Sequence, residues 1–173
     1  MANYRFNKGN LVIEDATGDD IIFRNFAGEE RGRYNQKGNR NFCLIIRDGE
    51  LARQLDTEGW NVRTTRARDE YEEPTYYIPV AVGYKYKPPM VRLIVPGTRP
   101  VNLTEDSVHQ LDQVEISTVD LTIRPRRWED DKTGESRVKA YLRSAYVTLE
   151  EDEFAAKYAE EEYPEDGEDI PLF

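Results

Sequence analysis

The sequence predicts a mainly β fold, arranged as a small and partly open barrel that carries a disordered acidic tail. Residues 76–86 alternate between two kinds of side chain, as a strand with one buried face does. Two longer stretches, 114–127 and 137–149, are joined by a charged loop containing Gly134, which fits a hairpin. Several strands with a short helix between the early ones and with long hairpins are typical of small barrels.

The first half of the chain contains one well-marked helix, over 49–58. Asp48 fits an N-cap, because a short acceptor side chain there satisfies the first free backbone N–H groups. Leu51 and Leu55 are four residues apart and share one apolar face, and Gly59 is a typical stop. A second short helix is expected to begin near Thr104 and to run to about Leu111.

The strands are assigned from apolar runs and alternation. Before the long hairpin they are expected over 21–26, 41–47, 60–65, 76–86 and 90–95. The second of these is apolar enough for burial on both faces. In the fourth, one face contains Tyr76, Ile78, Val80, Val82, Tyr84 and Tyr86. Pro79 and Gly83 indicate an edge or a bend in that strand.

An OB-fold, a partly open five-stranded barrel, is the specific architecture expected for residues 1–149. Because there are more than five candidate strands, the barrel needs extra strands or hairpins. A generic β-sandwich is the alternative architecture. Residues 150–173 form the second part of the chain, the tail.

The charge of the chain is concentrated in this tail. Residues 150–173 contain eleven acids and one base, which accounts for the whole net charge of −10 and leaves residues 1–149 neutral. A neutral body can carry a basic groove, so an overall acidic composition does not exclude a nucleic-acid ligand. The tail ends in a small apolar tip made of Asp169, Ile170, Pro171, Leu172 and Phe173. Such a segment cannot fold alone but can dock an aromatic ring into a partner protein.

Several classes of site are disfavoured by composition. Cys43 is the only cysteine and lies in an apolar run, so we expect a small core residue and no intrachain disulfide, consistent with a reducing intracellular compartment. With His109 as the only histidine, neither a Cys/His zinc site nor a Ser-His-Asp triad is expected. The sequence shows no signal peptide and no run approaching the ~20 apolar residues of a membrane span. No cofactor or metal is expected.

Binding to single-stranded nucleic acid needs aromatic faces for the bases and cations for the phosphates. Four segments mix these residue types: 23–42, 60–68, 84–92 and the long hairpin. The candidate residues are Phe23, Arg24, Arg33, Tyr34, Lys37, Arg40, Trp60, Arg63, Lys85, Lys87, Arg92, Arg124, Arg126, Trp128, Lys139, Tyr141 and Arg143. Trp60 is equally compatible with a core position, and Tyr84 and Tyr86 share their strand face with core residues.

The chain resembles bacteriophage-encoded single-stranded-DNA-binding proteins with an OB-fold. The residues that carry this resemblance lie in Phe23–Phe26, Asn39–Cys43, Gly59–Val62 and Lys139–Leu142, and the resemblance covers most of residues 20–150. The tail is similar to that of bacterial single-stranded-DNA-binding proteins, which ends in Asp-Ile-Pro-Phe, except for the inserted Leu172. The resemblance implies a protein of the bacterial host cytoplasm that coats single strands in replication, recombination or repair and recruits other replication proteins through its tip.

Two other function classes are considered. A protein–protein adaptor or DNA mimic would explain the acidic composition and the acidic run 69–73, but a mimic needs acids spread over the folded body. A Mg²⁺-dependent enzyme using Asp130 and Asp131 is the weakest alternative, since Lys132 follows them in a hairpin loop. The oligomeric state stays open, with a homo-oligomer as one option.

Overall fold

A computed structural model describes residues 1–65 and 73–151 of the chain. These residues form ten strands, one α-helix (α1, Gly49–Thr57) and two 3-10 helices, Gly18–Asp20 and Val108–Asp112. The strands are β1 Asn3–Asn7, β2 Asn10–Thr17, β3 Ile21–Asn25, β4 Arg40–Ile46, β5 Arg63–Thr64, β6 Tyr76–Val82, β7 Met90–Ile94, β8 Val101–Leu103, β9 Ile116–Glu129 and β10 Ser136–Leu149.

All ten strands belong to one curved sheet, in the order β1-β2-β9-β10-β6-β4-β3. The short strand β5 pairs with β6, and β7 and β8 form a branch on β10. Within the described residues β1 and β3, at the two ends of this path, do not pair with each other. The barrel is therefore open, as predicted, and the extra strands account for the excess over five.

Strand β10 organises the sheet because it changes partner along its length. Along one edge it pairs with β9 throughout, while along the other it pairs first with β6, at Ala140 and Tyr141, and then with β7, from Ser144 to Thr148. A register shift between Leu142 and Ser144 leaves Arg143 unpaired at the change. An extra residue of this kind bends a strand, which allows β10 to serve two neighbours.

The helix is confirmed with its predicted capping. The Asp48 carboxylate accepts hydrogen bonds from the backbone N–H groups of Glu50 and Leu51, and Gly59 follows the helix with φ +96°. Leu51 and Leu55 are buried against the barrel. The short helix predicted from Thr104 to about Leu111 is instead a turn followed by the 3-10 helix Val108–Asp112, and the Thr104 carbonyl accepts the N–H groups of Ser107 and Val108.

The barrel interior is filled by alternate side chains of the central strands. In β4 and β6 the buried set is Phe42, Leu44, Ile46, Ile78, Val80 and Val82, opposite Leu11, Ile13, Leu121 and Ile123 of β2 and β9. The predicted inward face of β6 is thus confirmed as far as Val82. The strand ends there, but Tyr84 still packs against the core as predicted, and the prediction is wrong only for Tyr86. Tyr84 is half-buried, and Tyr86 is 82% exposed.

Two further predictions near the core need correction. Cys43 is not a core residue: it is partly exposed, on the outer face of β4 between the buried Phe42 and Leu44. The outer face of β4 is therefore only partly buried, since Ile45 on the same face as Cys43 is 9% exposed. The strand predicted over 60–65 shrinks to Arg63–Thr64, because Trp60 makes only an isolated parallel bridge to Val138.

The hairpin of β1 and β2 is not predicted from the sequence. It turns at Lys8 and Gly9, which both have positive φ. The β1 segment, Asn3–Asn7, is a mostly exposed edge strand. Tyr4 and Phe6 alternate with polar residues there, but only Tyr4 is partly buried, so the alternation is a weak signal. The long hairpin, in contrast, is confirmed, and its turn is closed by hydrogen bonds between Asp130 and Glu135 and between Gly134 and Asp130.

Candidate nucleic-acid interface

The outer face of the sheet, opposite the core, aligns side chains from five strands. Residues paired across neighbouring strands point to the same side of a sheet. One such row contains Arg124 of β9, Tyr141 of β10, Ala81 of β6, Asn41 of β4 and Asn25 of β3. We call the surface formed by the outward side chains of β9, β10, β6, β4 and β3 the outer face.

Tyr141 is the centre of this face. Its ring is half-exposed and is flanked by two cations, with the Arg124 Cζ 5.2 Å and the Lys139 Nζ 5.3 Å from the ring centroid. Gly83 lies beside the ring, where a Cβ would come within 3.9 Å of two ring carbons. The site therefore offers one aromatic surface with two cations close to it, which suits a stacked base and its neighbouring phosphates.

The same face continues along the long hairpin. Arg126 is paired with Lys139, and Trp128 with Arg137. Trp128 is 47% exposed. Arg137 forms ion pairs with Asp130 and Glu135 of the hairpin turn, at 3.3 and 3.4 Å. The hairpin thus extends the basic and aromatic surface beyond Tyr141, and its turn supplies acids that neutralise Arg137.

A second aromatic group lies on the other side of the face. Phe23 is 63% exposed and meets Tyr77 edge-to-face, with the ring centroids 6.3 Å apart. Tyr77 is paired with the exposed Arg63 of β5. Sequence reasoning missed Tyr77 as a site residue, although alternation assigns it to the face of β6 opposite Ile78. Alternation does not show which residues of neighbouring strands share that face with Tyr77, because this depends on strand order.

The loop between β3 and β4 is built by asparagines. The buried Asn25 side chain bonds both the N–H and the carbonyl of Glu29, at 2.8 and 3.0 Å. Asn35 donates to the carbonyls of Glu29 and Asn39, and Asn41 donates to the Asn35 side-chain oxygen at 2.9 Å. These bonds give the loop a defined shape next to the outer face.

Exposed cations and aromatics lie on this loop and on the β6–β7 loop. Arg33 lies over the Tyr34 ring at 5.3 Å, and Lys37 is exposed. Lys85 lies over the Tyr86 ring at 5.7 Å, and Lys87 is exposed nearby in sequence. Since Gly83 lies beside Tyr141, the β6–β7 loop begins at the centre of the outer face.

The hydrogen bonds of Arg24 give this side chain a structural role. Its guanidinium donates hydrogen bonds to four backbone carbonyls, those of Gly18, Ile21, Leu111 and Val114. Burial lowers the pKa of this guanidinium, an effect that nearby acids oppose. Arg24 therefore ties β3 to the segment around the second 3-10 helix and has few donors left for a ligand.

Trp60 and Arg40 lie away from the outer face, whereas Arg92 of β7 is paired with Tyr146 of β10 and points to the same side of the sheet as that face. Trp60 is only 4% exposed and packs in the core. Arg40 lies over the Tyr84 ring at 5.6 Å and pairs with Glu105 at 3.2 Å. Arg92, on the β7 branch, donates to the Asn102 side chain at 3.1 Å. Trp60 is therefore a core residue, while Arg40 and Arg92 already have protein partners.

The tip residues 169–173, like the rest of 152–173, lie outside the described residues, and so does most of the acidic run 69–73. Within residues 1–65 and 73–151, no group of three or more His, Cys, Asp or Glu side chains could hold a metal ion. In the same part of the chain, none of the helices has the length and apolar character to cross a membrane.

The fold is similar to solved structures of phage proteins. The single-stranded-DNA-binding protein from bacteriophage Enc34 aligns with a TM-score of 0.50 and 10% identity, covering 88% of this chain and 92% of that one. Its complex with ssDNA aligns with a TM-score of 0.49 at 10% identity over 84% and 89% of the two chains. The gp2.5 single-stranded-DNA-binding protein of bacteriophage T7 aligns with a TM-score of 0.41 at 9% identity, covering 98% of this chain and 100% of that one.

No curated protein matches the sequence. A family model does, and its description is "Putative phage ssDNA-binding domain". It matches residues 1–171, nearly the whole chain. The OB-like fold and the cation-flanked tyrosine agree with that assignment. The chain therefore belongs to the phage ssDNA-binding domain family.

Proposed function

We propose that this protein binds single-stranded DNA on its outer face, without sequence preference and without catalysis. The observation that carries the proposal is Tyr141, whose ring centroid is 5.2 Å from the Arg124 Cζ and 5.3 Å from the Lys139 Nζ. Family membership supports the ligand class. The binding residues that we assign are Phe23, Arg63, Tyr77, Arg124, Arg126, Trp128, Lys139 and Tyr141, with Arg33, Tyr34, Lys37, Lys85 and Lys87 on the adjoining loops.

Stacking explains why a single strand is preferred to a duplex. In a duplex both faces of each base are covered by neighbouring pairs, so an aromatic side chain gains nothing without unstacking them. Tyr141, Trp128 and the Phe23–Tyr77 pair offer separate aromatic surfaces on one side of the sheet. Stacking is sequence-tolerant because every base has a π-face.

The biological role that follows is coating of single strands in phage replication, recombination or repair, in the cytoplasm of the bacterial host. The tail completes this role in our proposal. Its tip, residues 169–173, recruits replication or recombination proteins, with Phe173 as the aromatic anchor and the preceding acids facing basic residues of the partner.

Fluorescence anisotropy of labelled oligo(dT), with duplex competitor and at two salt concentrations, tests the binding proposal. We expect tight binding that added salt weakens and that the duplex does not displace, since phosphate contacts release counterions. Absence of binding to the single strand at low salt, with or without the tail, would contradict the proposal and favour the adaptor alternative.

Replacing the central tyrosine tests the site. Tyr141→Ala should weaken oligo(dT) binding by about 5- to 150-fold, because one base stack contributes ~1–3 kcal/mol. Tyr146→Ala is the matched control: it removes the same side chain from the same strand, but its partners across the sheet are Asp120 and one cation, Arg92, rather than two cations near the ring. Binding titrations on both variants give the comparison. Equal affinities for Tyr141→Ala and the unmodified protein would remove Tyr141 from the site.

A further inference from the structure

A basic depression lies on the outward side of the sheet beside the unpredicted β1–β2 hairpin. It has a cavity volume of about 270 Å³. Its lining includes three cations, Arg5, Lys8 and Arg143, and the amides of Asn7 and Asn10, and among the described residues no acid lines it. A concave surface with cations and amide donors but no carboxylate favours an anion such as a phosphate.

The depression lies next to the site around Tyr141. Thr122 of β9 lines it and is paired with Val12 of β2 and with Ser144 of β10. Arg124 is two residues further along β9, so it points to the same side at a distance of about 7 Å. A strand bound at Arg124 and Tyr141 therefore needs only a short step to reach the depression.

The three cations that line the depression differ in whether an acidic side chain already pairs with them. Arg5 pairs with Glu14 at 3.0 Å. Within residues 1–65 and 73–151, neither Lys8 nor Arg143 takes part in an ion pair. Arg143 is the extra residue at the irregularity of β10. Such irregularities often redirect a side chain next to a functional site.

The turn that presents Lys8 is unusual for its residue type. Lys8 and Gly9 have φ of 52° and 83°. A two-residue hairpin turn with positive φ at both positions favours Asn, Asp or Gly at the first, and Lys is strained there. A strained residue whose side chain lines a basic depression is a candidate for function.

We propose that this depression binds a phosphate of the same strand whose base stacks on Tyr141. The bound strand then crosses β9 and β2 and reaches the β1–β2 turn, with Lys8 and Arg143 as its phosphate contacts. This inference rests on the proposed function. It extends the site from the outer face to the β1–β2 hairpin, and Arg143 of β10 lies at the boundary between the two.

The test compares Lys8→Asn and Arg143→Gln with the unmodified full-length protein, using oligo(dT) of about 16 nucleotides, the upper range for one OB-fold. Asn is favoured at this turn position, so Lys8→Asn should retain the fold, which its melting temperature checks. Arg53→Gln is the matched control, since it removes one charge from the exposed side of α1. We expect each of the two variants to bind about three- to fivefold more weakly at low salt.

Salt dependence provides the sharper readout. Removing one phosphate-binding cation should reduce the slope of log K against log salt by about 0.7 for a single-stranded ligand. Lys8→Asn and Arg143→Gln should show this reduction and Arg53→Gln should not.

If both variants keep the affinity and slope of the unmodified protein while Tyr141→Ala binds more weakly, the phosphate site is wrong and the proposed function stands. An equal reduction in Arg53→Gln would overturn the site as well, because only net charge would matter. No binding by the unmodified protein would overturn both proposals.

Discussion

Cys43 shows how much one position depends on its surroundings. Both of its neighbours in the chain, Phe42 and Leu44, are fully buried, yet its thiol is on the outer face between Ile22 of β3 and Pro79 of β6. Partial burial raises the pKa of the thiol, and the charge of Arg63 opposes this with a smaller effect. Because Cys43 is the only cysteine, the reactivity of the protein's thiol reports on the outer face alone.

Thiol alkylation should therefore detect a bound strand. The raised pKa means that less thiolate is present near neutral pH, so the alkylation rate should increase as the pH rises through that pKa. At a fixed alkaline pH, saturating oligo(dT) should slow alkylation severalfold by covering Cys43. Mass spectrometry of quenched samples measures the rate. An unchanged rate under saturation would mean that the strand avoids the β3–β4–β6 part of the outer face, and duplex DNA at equal concentration is the control.

Arg24 differs from its prediction in the opposite direction to Cys43: the sequence predicts that it contacts a ligand, and instead it contacts the protein backbone. It lies in a segment rich in basic and aromatic residues, the composition typical of a nucleic-acid site. In the structure its guanidinium bonds four carbonyls, while Asp112 accepts the N–H groups of Phe26 and Ala27 nearby. A guanidinium that satisfies backbone carbonyls and one that binds phosphate have the same sequence signature, because both need only a donor-rich side chain.

At the scale of elements, the long hairpin is supported at its far end by the segment that follows α1. The Gly59 carbonyl accepts the Val138 N–H at 2.9 Å, and Trp60 bridges to Val138. A Cβ on Gly59 would lie 2.6 Å from the Ser136 carbonyl oxygen. Gly59 therefore both ends the helix and permits a close backbone approach that holds β10 in position.

Gly59→Ala should destabilise the fold through both effects. Gly97→Ala is the matched control: φ at Gly97 is +84°, close to the +96° of Gly59, but nothing lies within 4 Å of its added Cβ. We expect Gly97→Ala to cost about 1–2 kcal/mol from the left-handed backbone alone. Gly59→Ala should cost about 1–3 kcal/mol more, because the Cβ forces the hairpin to shift. Urea unfolding gives both values. Equal destabilisation by the two variants would show that the close approach at Ser136 adds no cost.

The elements also show where sequence patterns suffice. The helix, the inward residues of β6 and the long hairpin each follow from local signals: a cap, an alternation and a turn. The β1–β2 hairpin is not predicted because its edge strand is mostly exposed and the alternation of Tyr4 and Phe6 with polar residues is short. The strand predicted over 60–65 is too long because Trp60 is buried by the barrel core rather than by a strand pattern of its own.

At the scale of the whole molecule, the important feature is the separation of charge. The body, 1–149, is neutral but has basic surfaces on its outer face and at the β1–β2 hairpin, while 150–173 contains ten net negative charges. A tethered acidic segment competes with phosphate at a high effective concentration. The competition weakens as salt rises, because the screening length falls from ~30 Å at 0.01 M to ~8 Å at 0.15 M.

Removing residues 150–173 should therefore tighten oligo(dT) binding at low salt, with a smaller gain at physiological salt, and should abolish binding to partner proteins. Deleting only 169–173 is the control, because it keeps ten of the eleven acids. That shorter deletion should abolish partner binding and leave DNA affinity close to that of the full chain. Anisotropy titrations at the two salt concentrations provide the comparison. Identical affinities with and without 150–173 at low salt would refute competition by the tail.

Local chemistry along the chain was enough to predict a mainly β body, the helix with its cap, the long hairpin and the charge of the tail, since each depends on residues close in sequence. Tertiary structure alone assigned the outer face. Arg124, Tyr141, Ala81, Asn41 and Asn25 come from five strands, and their alignment depends on strand order and register. The same long-range pairings put Trp60 in the core, Cys43 on the surface, and Lys8 beside Arg143. Composition cannot reveal these positions, because burial depends on neighbours that are distant along the chain.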